Sequence, residues 1–241
     1  TLADLALHDM NHKTDATPAE RIARLQIGID LWKTVFSDGN VGFYAHHISR
    51  NYATMALIYG NGKDGEKTLH ALEEAAQAIL NAKSVRIFGV GASGMVGQDL
   101  HSKLMRINKN SYFATDHHTQ LTYAASMTDQ DVAVLISMSG TTSEVLEILS
   151  LIRKSNVPSI ALTKYSKTPL AQNADMVLYI SSPEITMRSG ATSSRLAQLM
   201  VIDALFTAVA HMDYDAIAVN LEKSHESILS HRVSGSNYRF E

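Results

Sequence analysis

The chain contains no cysteine. Disulfides, thiolate metal sites and a cysteine nucleophile are therefore excluded. A cytoplasmic location is expected, where disulfides are rare. Charged residues are sparse at 19 %, against 45 % apolar residues, so the chain reads as globular rather than disordered. The net charge of −3 lacks the basic excess that would draw in a polyanion over the whole surface. Contact with nucleic acid would need a local patch or a separate module. The opening Thr1-Leu2-Ala3-Asp4 has neither a basic segment nor a long apolar run, so no secretory leader is expected. No stretch reaches the roughly 20 apolar residues of a membrane span, and no membrane partner is expected. The histidines carry no HExxH-like spacing, so they read as scattered surface and core residues and no metal site is predicted.

What is present divides at about residue 66. Residues 1–66 are mostly helical by pattern. Thr17-Pro18-Ala19-Glu20 reads as a capping box, followed by Ile22, Leu25, Ile29, Trp32 and Phe36 on one apolar face. A second helical stretch runs from about Phe43 to Tyr59, where His46, His47, Arg50 and Asn51 either reach a ligand or face solvent. Gly60-Asn61-Gly62-Lys63-Asp64-Gly65 is the expected break.

Beyond it, helical segments alternate with short apolar, β-branched runs at 85–88, 111–114, 132–136, 159–162 and 176–180. Most of these runs do not alternate, as expected for parallel strands buried on both faces. Helices are expected to start near Ser93, Thr119, Thr141, Thr168 and Thr192. This rhythm predicts an α/β fold, a doubly wound five-stranded parallel sheet flanked by helices, with an N-terminal helical segment. Ligands in such sheets bind beyond the carboxyl ends of the strands.

Two strand ends carry chemistry. The first is Gly89-Val90-Gly91-Ala92-Ser93-Gly94, where small residues admit a close ligand and a helix N-terminus offers free N–H groups. No Lys-Ser or Lys-Thr follows, so it is not a Walker loop. Asp116 could serve as the acidic partner of a dinucleotide ribose, but its neighbours Thr115, His117 and His118 look more like sugar-hydroxyl contacts. The second is Ser137-Met138-Ser139-Gly140-Thr141-Thr142-Ser143-Glu144. A helix cap from Thr141 to Glu144 needs one hydroxyl, whereas five are present. Hydroxyls and backbone N–H groups can donate to the many lone pairs of a phosphate without any lysine.

These two turns, in this order, resemble the SIS (sugar isomerase) phosphosugar-binding family. Arg188-Ser189-Gly190-Ala191-Thr192-Ser193-Ser194-Arg195, with the apolar run from Leu196 to Ala210, narrows the resemblance to the effector domain of RpiR-type bacterial transcriptional regulators. The resemblance spans about residues 67–232, leaving 233–241 as a tail. It implies that Ser137, Ser139 and Thr142 cradle the phosphate with Thr141 near it. Ser93, between Ala92 and Gly94, would meet the sugar phosphate, and His118 would read sugar hydroxyls. It implies that Glu184 and Arg188 reach toward a neighbouring subunit's site, although Arg188 and Arg195 are equally readable as ion-pair partners.

The resemblance further implies an effector sensor with no catalytic residue and no cofactor, working as a homodimer or tetramer and reaching operator DNA through a module not recognisable in residues 1–66. The effector favoured is N-acetylmannosamine 6-phosphate, placing the regulator in amino-sugar or sialic acid catabolism. The alternative is a phosphosugar isomerase or lyase, for which Glu144, Glu184 and His118 are the candidate bases. The helix from Thr192 to Ala210 is apolar nearly all round, so one side is expected in the core and the other in a subunit interface.

Overall fold

A computed structural model describes residues 63–180 and 192–229. The chain divides into two units, Thr1–Leu72 and Glu73–Glu241, and the features below belong to the second, apart from the first part of one helix, residues 63–72. Its strands are β1 (Ser84–Phe88), β2 (Ser111–Phe113), β3 (Asp131–Ile136), β4 (Ser159–Lys164) and β5 (Met176–Ile180). All pairings are parallel, in the order β2-β1-β3-β4-β5. The expected doubly wound five-stranded sheet is what forms. β3 is central and all six of its residues are buried, which is why Val132-Ala133-Val134-Leu135-Ile136 shows no alternation.

The helices are α1 (Lys63–Asn81), α2 (Gly91–Arg106), α3 (His117–Ala125), α4 (Ser143–Arg153), α5 (Pro169–Asn173), α6 (Thr192–Met212) and α7 (Tyr214–Leu229). Neighbouring strand residues point to opposite faces. One face gathers Phe88, Ala133, Leu135 and Ala161 against Ala124 of α3, Val145, Ile148, Leu149 and Ile152 of α4, and Leu170 of α5. Full burial of a side chain such as Ile148 contributes about 1.5–3 kcal/mol. α2 and α6 pack together. Lys103 of α2 bridges Asp99 and, at 3.0 Å, Asp203 of α6.

Several local expectations shift. α1 starts at Lys63, inside the break expected at 60–65. α2 and α3 begin two residues earlier than expected, and α4 begins two residues later, at Ser143. β4 runs on through Thr163 and Lys164, which pair with Tyr179 and Ile180 of β5, and Thr163 is buried although polar. The expected shortage of long apolar segments also needs correction. Within α6, Ser194–Met212 is long and apolar enough to cross a membrane by length and composition, yet half of that window is buried inside the fold. Ile202, Leu205 and Val209 are in the core, while Leu196 and Met200 are exposed.

The amino ends of the strands are closed by carboxylates. Ser84 Oγ donates to Asp131 Oδ1 at 2.6 Å, and Thr128 donates to Asp131 Oδ2 through N and Oγ1 at 3.0 and 3.1 Å. Ser159 likewise donates N–H and O–H to Asp175 Oδ2 at 2.9 and 2.6 Å. Burial pushes the Asp131 carboxyl up, but the hydrogen bonds from Ser84 and Thr128 and the Arg86 charge outweigh it and hold the group below its ordinary range.

Candidate functional site

The strand order reverses between β1 and β3, which are adjacent in the sheet. A ligand crevice is expected beyond their carboxyl ends. The two ends adjoin closely: a Cβ on Gly89 would stand 3.2 Å from the Ile136 carbonyl oxygen and from the Ser93 backbone. Two helices start here, α2 after β1 and α4 after β3.

In neither helix does the N-cap residue supply a side-chain cap. The N-cap of α2 is Val90, which has nothing to offer, and the N-cap of α4 is Thr142, whose side chain makes no cap bond. By contrast, Asp116 caps α3 at Thr119 N, 2.9 Å, and Thr168 caps α5 at Ala171 N, 3.2 Å. An uncapped N-terminus leaves N–H groups and partial positive charge available to an anion. The cap from Thr141 to Glu144, the alternative use of these hydroxyls, does not form, because the helix begins two residues further on. The side chain of Asp116 is engaged in its own cap.

Thr142 turns its hydroxyl to another use. Its Oγ1 lies 2.8 Å from Ser137 Oγ, and Ser139 Oγ lies 3.4 and 3.5 Å from the two. Only the first distance is a strong O–H···O bond. The three oxygens form a small triangle that receives N–H groups: Gly140 N donates to Ser137 Oγ at 3.1 Å, and Thr141 N to Ser139 Oγ at 3.3 Å. Among the described residues, no carboxylate or carbonyl accepts from these hydroxyls. Ser137 is buried, Ser139 and Thr142 are half-buried, and Thr141 is exposed at the rim. Such a group can turn its O–H bonds toward an incoming anion.

The turn is fixed from beneath. Gly140 has φ +67°, and a Cβ there would lie 2.2 Å from Thr168 Oγ1 and 2.7 Å from Thr163 Oγ1. Only glycine fits both the left-handed conformation and the space. Lys164 N also donates to Met138 O, and Leu170 N to Gly140 O, each at 3.2 Å, so the end of β4 and the start of α5 brace the hydroxyl turn. Thr163 and Thr168 escape a reading of local pattern, because their contribution is to pack under a turn distant in sequence.

The other candidates fall as follows. Ser93 and Ala92 are half-buried in the first turn of α2 and Gly94 is buried, with the Ser93 hydroxyl unbonded among the described residues. His118 is exposed at the start of α3. Its neighbour His117 instead places Nε2 3.0 Å from Glu147 Oε2 on α4, joining the two helices. Hydrogen bonds from its own N–H and from Ser143 hold the Glu144 carboxyl below the usual carboxylate range. Glu184 and Arg188 lie outside the described residues, as do the helical patterns of residues 1–62. Arg195 sets Nη1 3.6 Å from Met95 Sδ on α2. No cluster of three metal-ligating side chains occurs among the described residues.

Comparison with known proteins adds context to this geometry. The SIS domain model matches residues 78–208. An uncharacterised HTH-type transcriptional regulator of Caldanaerobacter subterraneus is 40 % identical over 163 residues, covering 68 % of this chain and 58 % of that protein. Another such regulator, YbbH of Bacillus subtilis, is 37 % identical over 163 residues, covering 67 % and 58 %. This chain thus spans under three fifths of the length of these curated relatives. The Vibrio vulnificus NanR protein complexed with ManNAc-6P has a similar fold, with TM-score 0.66 and 23 % identity over 88 % of this chain and 75 % of that one. So has the sugar isomerase domain of an RpiR transcription factor from Sphaerobacter thermophilus, with TM-score 0.59 and 24 % identity over 67 % and 91 %.

Proposed function

The chain belongs to the SIS-domain family, and on that premise we propose that it is the effector-sensing part of an RpiR-type transcriptional regulator that takes a phosphorylated sugar beyond β1 and β3. One observation carries the reading. At the switch point, three hydroxyls without a carboxylate partner sit beside two helix starts whose N-cap residues make no side-chain cap. That combination suits a dianionic phosphoryl group better than it suits a neutral ligand.

In this reading Ser137, Ser139 and Thr142 hold the phosphoryl oxygens with Thr141 at the rim, and Ser93 donates from the start of α2. His118 meets the sugar hydroxyls, and Glu184 and Arg188 complete the site from a neighbouring copy. The effector is an N-acetylamino-sugar 6-phosphate, with N-acetylmannosamine 6-phosphate first. Ala92 offers little bulk against an acetamido group. The NanR protein, of similar fold, is complexed with that compound. The regulator reading is supported by relatives that are named as HTH-type regulators. Operator DNA would be reached through a further module, in a cytoplasmic homodimer or tetramer.

The alternative is isomerase or lyase chemistry, which requires a base at the sugar carbons. Glu144 is poorly suited, since the hydrogen bonds that lower its pKa also weaken it as a base. Calorimetric titration with a panel of sugar phosphates, run alongside an assay for isomerised product, tests both readings. Tight binding of the N-acetylamino-sugar 6-phosphates without turnover is expected. A plain pentose phosphate binding more tightly would remove the amino-sugar assignment, and product formation would remove the sensor reading.

A further inference from the structure

Gln120 lies on α3 and is fully buried. Its side-chain nitrogen spans two strand ends: Nε2 donates to Gly89 O at 3.0 Å and to Ala114 O at 2.8 Å. Both amide hydrogens are thereby used, and both acceptors are carbonyls, which fixes which way the amide is turned. Gly89 opens the turn between β1 and α2, and Ala114 opens the one between β2 and α3. In a planar trans peptide, the C=O and the following N–H point in opposite directions. Holding those two carbonyls toward Gln120 therefore turns the N–H groups of Val90 and Thr115 away from it. The Oε1 of the same amide is buried with no partner, so the side chain is kept at some cost in unsatisfied polarity. A leucine or methionine here would spare the Oε1 cost but leave the Gly89 and Ala114 carbonyls without this donor.

We propose that Gln120 is a positioning residue of the ligand site: by gripping the Gly89 and Ala114 carbonyls it sets the turns after β1 and β2 so that they meet the sugar part of the ligand. This inference rests on the phosphosugar reading of the same site and adds a division of labour to it. The turn after β3, with its hydroxyl triangle and the start of α4, makes no bond to Gln120 and carries most of the hold on the phosphoryl group, to which the start of α2 adds through Ser93.

The test compares Gln120→Met, close in shape but without donors, with the parent protein by calorimetry. The probes are N-acetylmannosamine 6-phosphate and inorganic phosphate. The variant is expected to lose about tenfold in affinity for the sugar phosphate, the weight of one misplaced hydrogen bond, while keeping inorganic phosphate within about twofold. Equal losses for both probes, or parent-like affinity for both, would overturn the assignment. If the parent binds inorganic phosphate but no sugar phosphate, the phosphosugar reading fails instead. Gln120 is then judged by amide hydrogen exchange. Faster exchange at Val90 and Thr115 in the variant sustains the grip, and unchanged exchange ends it. Should Gln120→Met not fold, Gln120→Glu serves, because its protonated acid keeps one donor. Relative to the parent, its affinity for the sugar phosphate should fall as pH rises through that carboxyl's titration, and a pH-independent ratio would count against the proposal.

Discussion

The two ends of the sheet use the same residue types to opposite effect. At the amino ends, Ser84, Thr128 and Ser159 give their hydroxyls to Asp131 and Asp175, and each bond is complete within the fold. At the carboxyl ends, Ser137, Ser139 and Thr142 accept from the N–H groups of Gly140 and Thr141 but have only one another to donate to among the described residues. A hydroxyl matched to a carboxylate is a fastening. A hydroxyl matched to other hydroxyls keeps donors in reserve, at some expense in stability. The same contrast appears among the helix starts, where α3 and α5 are capped by their own side chains and α2 and α4 are not.

The largest effect expected from breaking this contrast is at Gly140. Gly140→Ala combines a strained φ with a Cβ driven into Thr168, so roughly 2–5 kcal/mol of stability should be lost by chemical denaturation. Gly91 is the control. Its φ is also positive at +57°, but nothing lies within 4 Å, so Gly91→Ala should cost only about 1 kcal/mol. Equal losses at the two positions would mean that packing beneath the hydroxyl turn is unimportant.

At the amino end, Asp131→Ala should cost roughly 1.5–3 kcal/mol, the weight of hydrogen bonds to a buried charge, and leave ligand affinity unchanged. The sign of its pH dependence follows from the lowered pKa. Its stabilisation is full above the unfolded value of about 3.9 and is lost as pH falls through the lower folded value. Acid denaturation of the parent should therefore show a component that Asp131→Asn lacks. If the two curves coincide, the carboxylate is not the fastening described.

How much of this was legible in the sequence depends on whether a feature is local. The run at 132–136 announces a buried parallel strand because burial on both faces removes alternation, whereas the run at 176–180, read the same way, is an edge strand and only partly buried. The crowd of hydroxyls from Ser137 to Ser143 points to an anion for the same local reason, since one cap cannot use them all. What stayed hidden depends on contacts distant in sequence. Nothing near Gly140 discloses that Thr163 and Thr168 fill the space beneath it. Gln120 sits on a short helix whose pattern gives no sign that it faces inward. His117 and His118 are adjacent and chemically alike, and only the fold turns the first toward Glu147. The start of α4 at Ser143 rather than Thr141 is a matter of which hydroxyl caps, and here none does.

Two smaller effects sharpen the comparison. Ser139→Ala should leave stability within about 0.5 kcal/mol, since its oxygen stands too far from its neighbours for strong bonds. It should weaken sugar-phosphate binding by roughly 1–3 kcal/mol in calorimetry. Parent-like affinity would remove Ser139 from the site. Away from both sheet ends, Met200→Lys on the exposed side of α6 should leave folding intact but yield monomers in sedimentation if copies pair there. Ile202→Lys, in the core, should unfold the protein. An unchanged oligomer for Met200→Lys would place the subunit contact elsewhere.

The most direct measurement follows backbone amide resonances as N-acetylmannosamine 6-phosphate is added. The amides from Ser139 to Glu144, and those opening α2, should move together and saturate, while those of Ser84, Thr128 and Ser159 stay still. Shifts concentrated at the amino ends, or none at the hydroxyl turn, would contradict the assignment of that turn as the seat of the phosphoryl group.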